Sequence, residues 1–332
     1  MNRRVVTTLI AALLLTVTAA CGGTEEQAVR ADGSVDLSQV TLRVGDQKGT
    51  GLQALLTAAG QLKDVKYKVT WAQFTSGPPI LEAINAGSLD FGAVGNAPPV
   101  FAAAAGSKIS IVAVAEKGVG GQAIVVPPDS PIKTPADLRG KRVAVAKGSS
   151  ANFHLLAVLK KEGLSFTDIQ PQYLQPPDAL AALSSGKIDA WAIWDPYTAQ
   201  AEAQTKAHIL VDGANYVNGF EFQIAGQDAL ADQARSAALG DWVTRIRKAH
   251  QWANGHQDEW AKVFSQLTGL DQAIVSASVK RSQFKDLKLA GDTVAREQLV
   301  ADAFSEAKLI PVPVKIADVV DTRFDASLDN PS

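Results

Sequence analysis

The sequence is poor in the residues that build metal and redox centres. Its 332 residues contain one cysteine, Cys21, and four histidines, none of which lies four positions from another. A single cysteine excludes intramolecular disulfides and multi-cysteine zinc sites, and the histidine spacing excludes a helical two-histidine site. We therefore expect no metal and no cofactor.

The chain also lacks an excess of charge of either sign. Its formal net charge is −2, charged residues make up 20% and no run of arginine or lysine occurs, so nucleic acid is not an expected partner. Apolar residues make up 46%, which is ordinary for a globular protein, and the length allows two domains. We expect a chain that buries a sizeable core in more than one unit.

The amino terminus has the pattern of an export signal. Arg3 and Arg4 precede an apolar run, Val5 to Val17, that is too short for a stable membrane span. The box that follows, Thr18-Ala19-Ala20-Cys21, is typical of bacterial lipoproteins, in which the cysteine becomes the lipidated first residue. We predict a lipoprotein signal peptide at residues 1–20, lipidation of Cys21 and a flexible tether over 21–36; the alternative is a plain secretory signal with an incidental cysteine.

One strand-to-turn pattern occurs twice. Arg142-Val143-Ala144-Val145-Ala146-Lys147-Gly148-Ser149-Ser150 is a β-branched run that ends in a small polar turn before a helical pattern. Arg43 to Thr50 repeats its Arg, Val, Lys, Gly and hydroxyl residues 99 positions earlier, and the same offset relates Asp90 to Asp189. A strand, a short turn and a helix N-terminus direct free backbone N–H groups and a positive helix end at one place, which suits an anion. The repeat predicts two similar lobes.

Strand and helix patterns alternate through both lobes. This alternation predicts an α/β protein of two lobes, with a doubly wound, mainly parallel sheet in each lobe and a helical C-terminal part. We assign residues 37–121 and 222–332 to lobe I and residues 122–221 to lobe II. Two crossings between lobes make a hinge with a cleft between them, and ligands of open α/β sheets bind beyond the carboxyl ends of the strands.

The turns at those strand ends carry uncharged hydrogen-bond donors. Hydroxyl, amide, indole and backbone N–H groups suit a small oxyanion without adding a full charge. The predicted ligand-binding residues are Gln47, Ser76, Gly77, Asn96, Ala97, Gly148, Ser149, Ser150, Trp194 and Asp195.

Three of these residues have more specific expected roles. The Asn96 amide can donate to a head group that has no acidic proton, such as a sulfonate. Asp195 either caps the helix that begins beside Pro196 or binds a substrate amine, and Trp194 can cover an organic tail.

An enzyme is not indicated. Ser149 and Ser150 lie at a turn without a Gly-x-Ser-x-Gly elbow, no phosphate-binding Gly-x-x-x-x-Gly-Lys motif is present, and Val119-Gly120-Gly121 is too short for a dinucleotide loop. A secreted lyase or deaminase and a surface interaction protein with a vestigial cleft are the alternatives from other classes.

With these residues in view, the chain resembles the aliphatic-sulfonate-binding proteins of ABC importers, within the sulfonate/nitrate/taurine type of periplasmic binding protein. The resemblance extends over nearly all of the chain after Cys21. The most specific stretches are Leu42 to Gly49, Gly77-Pro78-Pro79-Ile80-Leu81-Glu82-Ala83, Val94-Gly95-Asn96-Ala97-Pro98-Pro99, Pro131 to Gly140, Lys147-Gly148-Ser149-Ser150 and Asp189-Ala190-Trp191-Ala192-Ile193-Trp194-Asp195-Pro196-Tyr197.

The resemblance implies the two-lobed periplasmic-binding-protein fold (type II), which closes on an organosulfonate and delivers it to an ABC permease and ATPase complex at the outer face of the cytoplasmic membrane. We expect the protein to be a monomer. This chain departs from the family near the ligand, with Asp46 where an aromatic residue is common and Asn96-Ala97 where an aspartate is often seen. Taurine, nitrate or a pyrimidine vitamin precursor are the alternative ligands.

Overall fold

The computed structural model describes residues 28–47 and 51–328. The predicted signal peptide and Cys21 lie outside the described residues, as do Lys48, Gly49 and Thr50 of the first repeated turn. Among the helices that are described, none has the length and apolar character needed to span a lipid bilayer.

The described strands form two sheets. The strands are β1 (Thr41–Gln47), β2 (Lys68–Phe74), β3 (Phe91–Gly95), β4 (Ile109–Lys117), β5 (Ala123–Val126), β6 (Arg142–Val145), β7 (Gln170–Tyr173), β8 (Ala190–Ile193), β9 (His208–Asp212), β10 (Phe220–Gly226) and β11 (Phe284–Leu287). Lobe I contains the sheet with the order β11-β4-β10-β3-β1-β2, and lobe II contains the sheet with the order β7-β6-β8-β5-β9.

Helices pack around both sheets and form most of the C-terminal part. They are α1 (Leu52–Ala58), α2 (Gly77–Asn85), α3 (Ala97–Ala104), α4 (Ser150–Lys161), α5 (Pro176–Ser184), α6 (Tyr197–Thr205), α7 (Gln227–Ala231), α8 (Gln233–Gly255), α9 (Gln257–Thr268), α10 (Gln272–Lys280) and α11 (Asp292–Glu306). The predicted two-lobed α/β class with a helical C-terminal part is confirmed.

The two sheets share the order of five strands, with β11 as an additional strand in lobe I, and both sheets are mixed rather than mainly parallel as predicted. In lobe I, β1 pairs in parallel with β2 and β3, and in lobe II, β6 pairs in parallel with β7 and β8. The strand that follows each crossing is antiparallel to its neighbours: β5 lies between β8 and β9, and β10 lies between β3 and β4. The chain therefore crosses between the lobes after Lys117 and again after Asp212.

The same ion pair fixes the start of both repeated strands. Arg43 Nη2 lies 2.6 Å from Asp90 Oδ1, and Arg142 Nη2 lies 2.7 Å from Asp189 Oδ1. In each pair the backbone N–H of the arginine also donates to the carboxylate, at 2.8 Å in both lobes. These equivalent contacts, 99 positions apart, are the structural counterpart of the sequence repeat.

Part of the expected tether is folded. Within residues 21–36, the described portion begins at Ala28, which is buried against lobe I. Val29 pairs with Val35, and Gln233 of α8 donates to the Gly33 carbonyl at 3.1 Å. The prediction of a flexible tether is therefore wrong for residues 28–36, because two apolar side chains and a long-range hydrogen bond hold them on lobe I.

The lobes are in contact. Phe153 and Leu156 of α4 join a core made mainly by lobe I, and the Phe153 ring lies 5.9 Å, between centroids, from the ring of Phe304 in α11. A Cβ atom added at Gly95 would come within 2.9 Å of Ser150, so the backbone of β3 closely approaches the start of α4. The two lobes therefore contact each other directly in this structure.

Candidate functional site

A cavity lies between the lobes, where β1, β3 and β8 end and α4 begins. Its volume is about 90 Å³. Seven of the predicted ligand-binding residues line it: Gln47, Gly77, Asn96, Ser149, Ser150, Trp194 and Asp195. The residues from the two lobes therefore converge on one space.

The other three predicted residues lie beside the cavity without lining it. Ser76 is buried, and its hydroxyl donates to Gln175 Oε1 at 2.9 Å. Ala97 is fully buried in the core of lobe I. Gly148, with φ +73°, faces the Phe101 ring, which a Cβ atom at this glycine would meet at 3.2 Å. Ser76, Ala97 and Gly148 are therefore not among the residues that face the cavity.

The N-terminus of α4 offers the cavity free backbone donors. Ser149 caps this helix, since its hydroxyl accepts from the N–H of Asn152 at 3.3 Å. No described residue accepts a hydrogen bond from the N–H of Ser150 or Ala151. These two groups carry the positive end of the dipole of a twelve-residue helix. This end of the cavity suits a negatively charged group.

The two neighbouring helices of lobe I are poorer in donors. Pro78 and Pro79 occupy the first turn of α2, and Pro98 and Pro99 occupy the first turn of α3. Proline has no N–H, so each pair removes two of the donors that a helix start normally offers. From the sequence, the starts of α2, α3 and α4 were not distinguished as anion-binding sites. In the structure, α4 has more free N–H groups at its start than α2 or α3, whose first turns contain proline pairs.

The side chain of Asp195 is occupied by an arginine that sequence reasoning missed. Arg281, after α10 of lobe I, donates from Nε and Nη2 to the two carboxylate oxygens at 2.8 Å each. Asp195 Oδ1 also accepts from the N–H of Ala199 at 3.2 Å in the first turn of α6. Burial raises the pKa of Asp195, and the bonds from Arg281 oppose that shift. Asp195 is thus a helix-capping residue and half of an ion pair between the lobes.

Two further charged residues line the cavity beside the crossing strands. Lys117, at the end of β4, lies 3.5 Å from Glu221 of β10, and Arg281 also reaches Glu202 at 3.3 Å. The expected inventory of uncharged donors is therefore incomplete, because two cations and two carboxylates line the cavity as well. Since each cation is paired, the charges largely compensate one another.

The remaining predicted residues occupy distinct walls. Gln47 is buried and donates to the Ala93 carbonyl at 3.0 Å. Trp194 is half-buried at the end of β8 and packs against both cores of lobe II. Asn96 is buried and donates from Nδ2 to Asn218 Oδ1 at 2.9 Å. The cavity thus has a donor-rich end at α4 and an aromatic wall at Trp194.

The chemistry of these walls favours binding. The residues that line the cavity include neither histidine nor cysteine. Over residues 28–47 and 51–328, no group of three or more His, Cys, Asp or Glu side chains is placed to hold a metal ion. A nucleophile beside a general base, which covalent catalysis requires, is not found among the described lining residues.

The amino-acid sequence matches a known protein family and is similar to named bacterial proteins. Residues 68–260 match the family model described as NMT1/THI5 like. A protein of Escherichia coli (strain K12), provisionally named an aliphatic sulfonates-binding protein, is 35% identical over 85% of this chain and 89% of its own length.

Solved structures show the same likeness. The alkanesulfonate-binding protein SsuA from Xanthomonas axonopodis pv. citri, bound to MOPS, is 33% identical with a TM-score of 0.79, over 85% of this chain and 98% of that chain. The desulfurization enzyme DSZB, at 18% identity and a TM-score of 0.64 over 88% of this chain and 99% of that chain, shares the fold alone.

Proposed function

The chain belongs to the NMT1/THI5-like family, and we propose that it is the substrate-binding protein of an ABC importer that captures aliphatic sulfonates between its lobes. The observation that carries this proposal is the start of α4, where Ser150 lines a cavity between the lobes and the N–H groups of Ser150 and Ala151 have no acceptor among the described residues. The SsuA relative bound to MOPS supports it, since MOPS carries a sulfonate on an organic tail.

The head group of a sulfonate fits the donor-rich end. A sulfonate is ionised at neutral pH, offers three acceptor oxygens and carries no proton that would need an acceptor. The N–H groups of Ser150 and Ala151 and the hydroxyl of Ser150, which has no partner among the described residues, can each donate to such an oxygen. Because Arg281 and Lys117 are paired with carboxylates, helix-end and hydroxyl donors carry most of the anion recognition.

The organic tail fits the aromatic wall of the cavity. Trp194 presents a half-buried indole at the end of β8, and Phe220 also lines the cavity. Apolar contact with these rings favours a carbon chain over water. Nitrate and sulfate have no tail to place there, so we favour an organosulfonate over either ion.

A titration of the purified chain tests the ligand class. Ethanesulfonate, taurine, sulfate, nitrate and a pyrimidine vitamin precursor are titrated separately by calorimetry. We expect saturable binding of ethanesulfonate with one site per chain and weaker binding of nitrate and sulfate. If only nitrate or only the pyrimidine binds, that compound is the ligand and the sulfonate proposal is wrong. If taurine binds far more tightly than ethanesulfonate, the substrate is an aminosulfonate.

We also propose export, lipid anchoring through Cys21, delivery of the ligand to a membrane permease, and function as a monomer. The support for the anchor is the sequence of residues 3–21, and the support for delivery is the kinship with binding proteins. Labelling with a radioactive fatty acid in a bacterial host tests the anchor. Wild type should be labelled and sediment with membranes, whereas Cys21→Ala should lose the label; unlabelled wild type would remove this part of the proposal.

A further inference from the structure

A chain of hydrogen bonds runs from the cavity to a buried carboxyl group. Asn96 lines the cavity and donates from Nδ2 to Asn218 Oδ1 at 2.9 Å. Asn218 lies in the second crossing between the lobes and donates from its own Nδ2 to Glu297 Oε2 of α11 at 2.9 Å. The chain connects the end of β3, the crossing and α11.

A backbone N–H fixes the direction of every bond in this chain. The N–H of Phe220 donates to Asn218 Oδ1 at 3.1 Å, and a backbone N–H cannot act as an acceptor. Asn218 must therefore turn its oxygen towards Phe220 and its Nδ2 towards Glu297. Because that same oxygen also faces Asn96, Asn96 must turn its Nδ2 towards Asn218. The orientation of the Asn96 amide thus follows from that of Asn218.

Glu297 occupies an unfavourable place for a carboxyl group. Its side chain is buried with 1% exposure, and Oε1 has no partner among the described residues. The nearest cation in sequence, Arg296, donates instead to Glu116 at 2.9 Å and to the Asn218 carbonyl at 3.2 Å. Burial without a cationic partner raises the pKa of Glu297 well above its usual range. The packing of α11 alone would be served better by an apolar side chain.

We propose that Glu297 is a positioning residue for ligand recognition, which through Asn218 holds the side-chain amide of Asn96 in one orientation at the cavity. The proposal rests on the proposed function for its ligand. With one N–H committed to Asn218, Asn96 retains one N–H and Oδ1 for other contacts, and Oδ1 has no partner among the described residues. Without an acceptor at position 297, the Nδ2 group of Asn218 is left unpaired, and the amide of Asn96 loses its fixed support.

Three variants separate positioning from packing. Glu297→Leu removes the acceptor, Glu297→Gln keeps a carbonyl oxygen for Asn218, and Val300→Ala makes a cavity on the same helix at a residue with 1% exposure and no link to Asn96. We expect Glu297→Leu to weaken ethanesulfonate binding about tenfold and Glu297→Gln to restore most of that loss. Val300→Ala should lower the melting temperature and leave the dissociation constant within about twofold of wild type.

A double-mutant cycle tests whether the effect passes through Asn96. In the Asn96→Ala background, Glu297→Leu should cause no further loss of affinity. An equal loss in both backgrounds, or a loss in Val300→Ala as large as in Glu297→Leu, would overturn the proposal. If Glu297→Leu does not fold, Asn218→Ala breaks the same chain and carries the same expectations.

A ligand-independent measurement keeps this proposal separate from the proposed function. The side-chain NH₂ signals of Asn96 and Asn218 can be followed by NMR in the free protein. We expect both pairs to be displaced in Glu297→Leu and unchanged in Val300→Ala. Undisturbed Asn96 signals in Glu297→Leu would overturn the positioning role even if ethanesulfonate binds, whereas displaced signals would support it even if no sulfonate binds.

Discussion

The hydroxyl of Ser76 donates to Oε1 of Gln175 at 2.9 Å, and these two residues occupy equivalent positions in the two lobes. Each is the residue before the first turn of a helix, Ser76 before α2 and Gln175 before α5. Thr75 adds a second hydrogen bond to the same oxygen at 3.0 Å. The repeated turns therefore bind each other across the lobes, and the Ser76 hydroxyl is directed at the other lobe.

The first prediction concerns this contact. Gln175→Ala removes two hydrogen bonds that join the lobes, so we expect it to shift the equilibrium from the closed form, in which the lobes touch, towards an open form. We expect about a fivefold loss of sulfonate affinity, seen mainly as faster dissociation in stopped-flow measurements. Gln172→Ala, whose amide bonds only within β7, is the control and should match wild type. Equal dissociation rates in Gln175→Ala and wild type would contradict the prediction.

The second prediction separates two adjacent serines at the start of α4. The Ser149 hydroxyl is occupied, since it donates to the Ala146 carbonyl at 2.6 Å and accepts from Asn152. The Ser150 hydroxyl has no partner among the described residues. Ser149→Ala should therefore lower the free energy of unfolding by about 1 kcal/mol. Ser150→Ala should lower sulfonate affinity about tenfold with little change in stability. Calorimetry and urea unfolding of both variants test this, and the reverse pattern would contradict it.

The third prediction concerns the role of Asp195. Both of its oxygens are engaged by Arg281, so it is not free to select a ligand amine. Asp195→Ala should weaken the binding of taurine and of ethanesulfonate by the same factor, to within about twofold, because it loosens the closed form for both ligands. Arg281→Ala is the matched partner variant and should show the same equal loss. A selective loss of taurine in Asp195→Ala alone would restore the amine-binding role.

The fourth prediction is a pH dependence of stability that arises at His154. Burial lowers the pKa of this histidine to about 4, and its Nε2 pairs with the Asp212 carbonyl at 2.9 Å. Between this value and the usual pKa of about 6.5, the unfolded chain binds more protons than the folded chain, so stability falls as the pH falls. His154 should cost about 2 kcal/mol between about pH 7.5 and about pH 5.

A variant that lacks only His154 isolates this contribution. His154→Gln keeps a side-chain donor for Asp212 and does not titrate. Urea unfolding at the two pH values should show a smaller loss of stability in His154→Gln than in wild type. Asp46 has the opposite effect on stability, because burial raises its pKa to about 6 and the folded chain then binds the extra proton as the pH falls. Since wild type and His154→Gln both contain Asp46, the difference between their losses of stability isolates His154. Equal losses would contradict the prediction.

Local patterns predicted much of the architecture. The repeat around Arg43 and Arg142 predicted two lobes, and both arginines form equivalent ion pairs with residues that obey the same offset. The strand β11 was missed, because Phe284-Lys285-Asp286-Leu287 is short and has charged residues in its middle. It becomes a strand by pairing with the edge of β4, which is a contact that the local sequence does not encode.

The chemistry of the site was less accessible from the sequence. The turns predicted seven lining residues because they directly follow strands whose ends meet. Arg281 was missed because it follows a C-terminal helix and pairs with Asp195, which is 86 positions away. Glu297 gave no signal either, since it lies on α11 in the helical C-terminal part, for which no ligand-binding residue was predicted. Long-range contacts of this kind depend on how the helices pack on the two lobes.

The most direct test of the central claim is a crystal structure of the chain with 2-bromoethanesulfonate, with the bromine located by its anomalous scattering. The account predicts a sulfonate whose oxygens accept hydrogen bonds from the N–H groups of Ser150 and Ala151, with the bromine peak beside Trp194. A head group bound away from α4, or a bromine peak outside the space between the lobes, would contradict it.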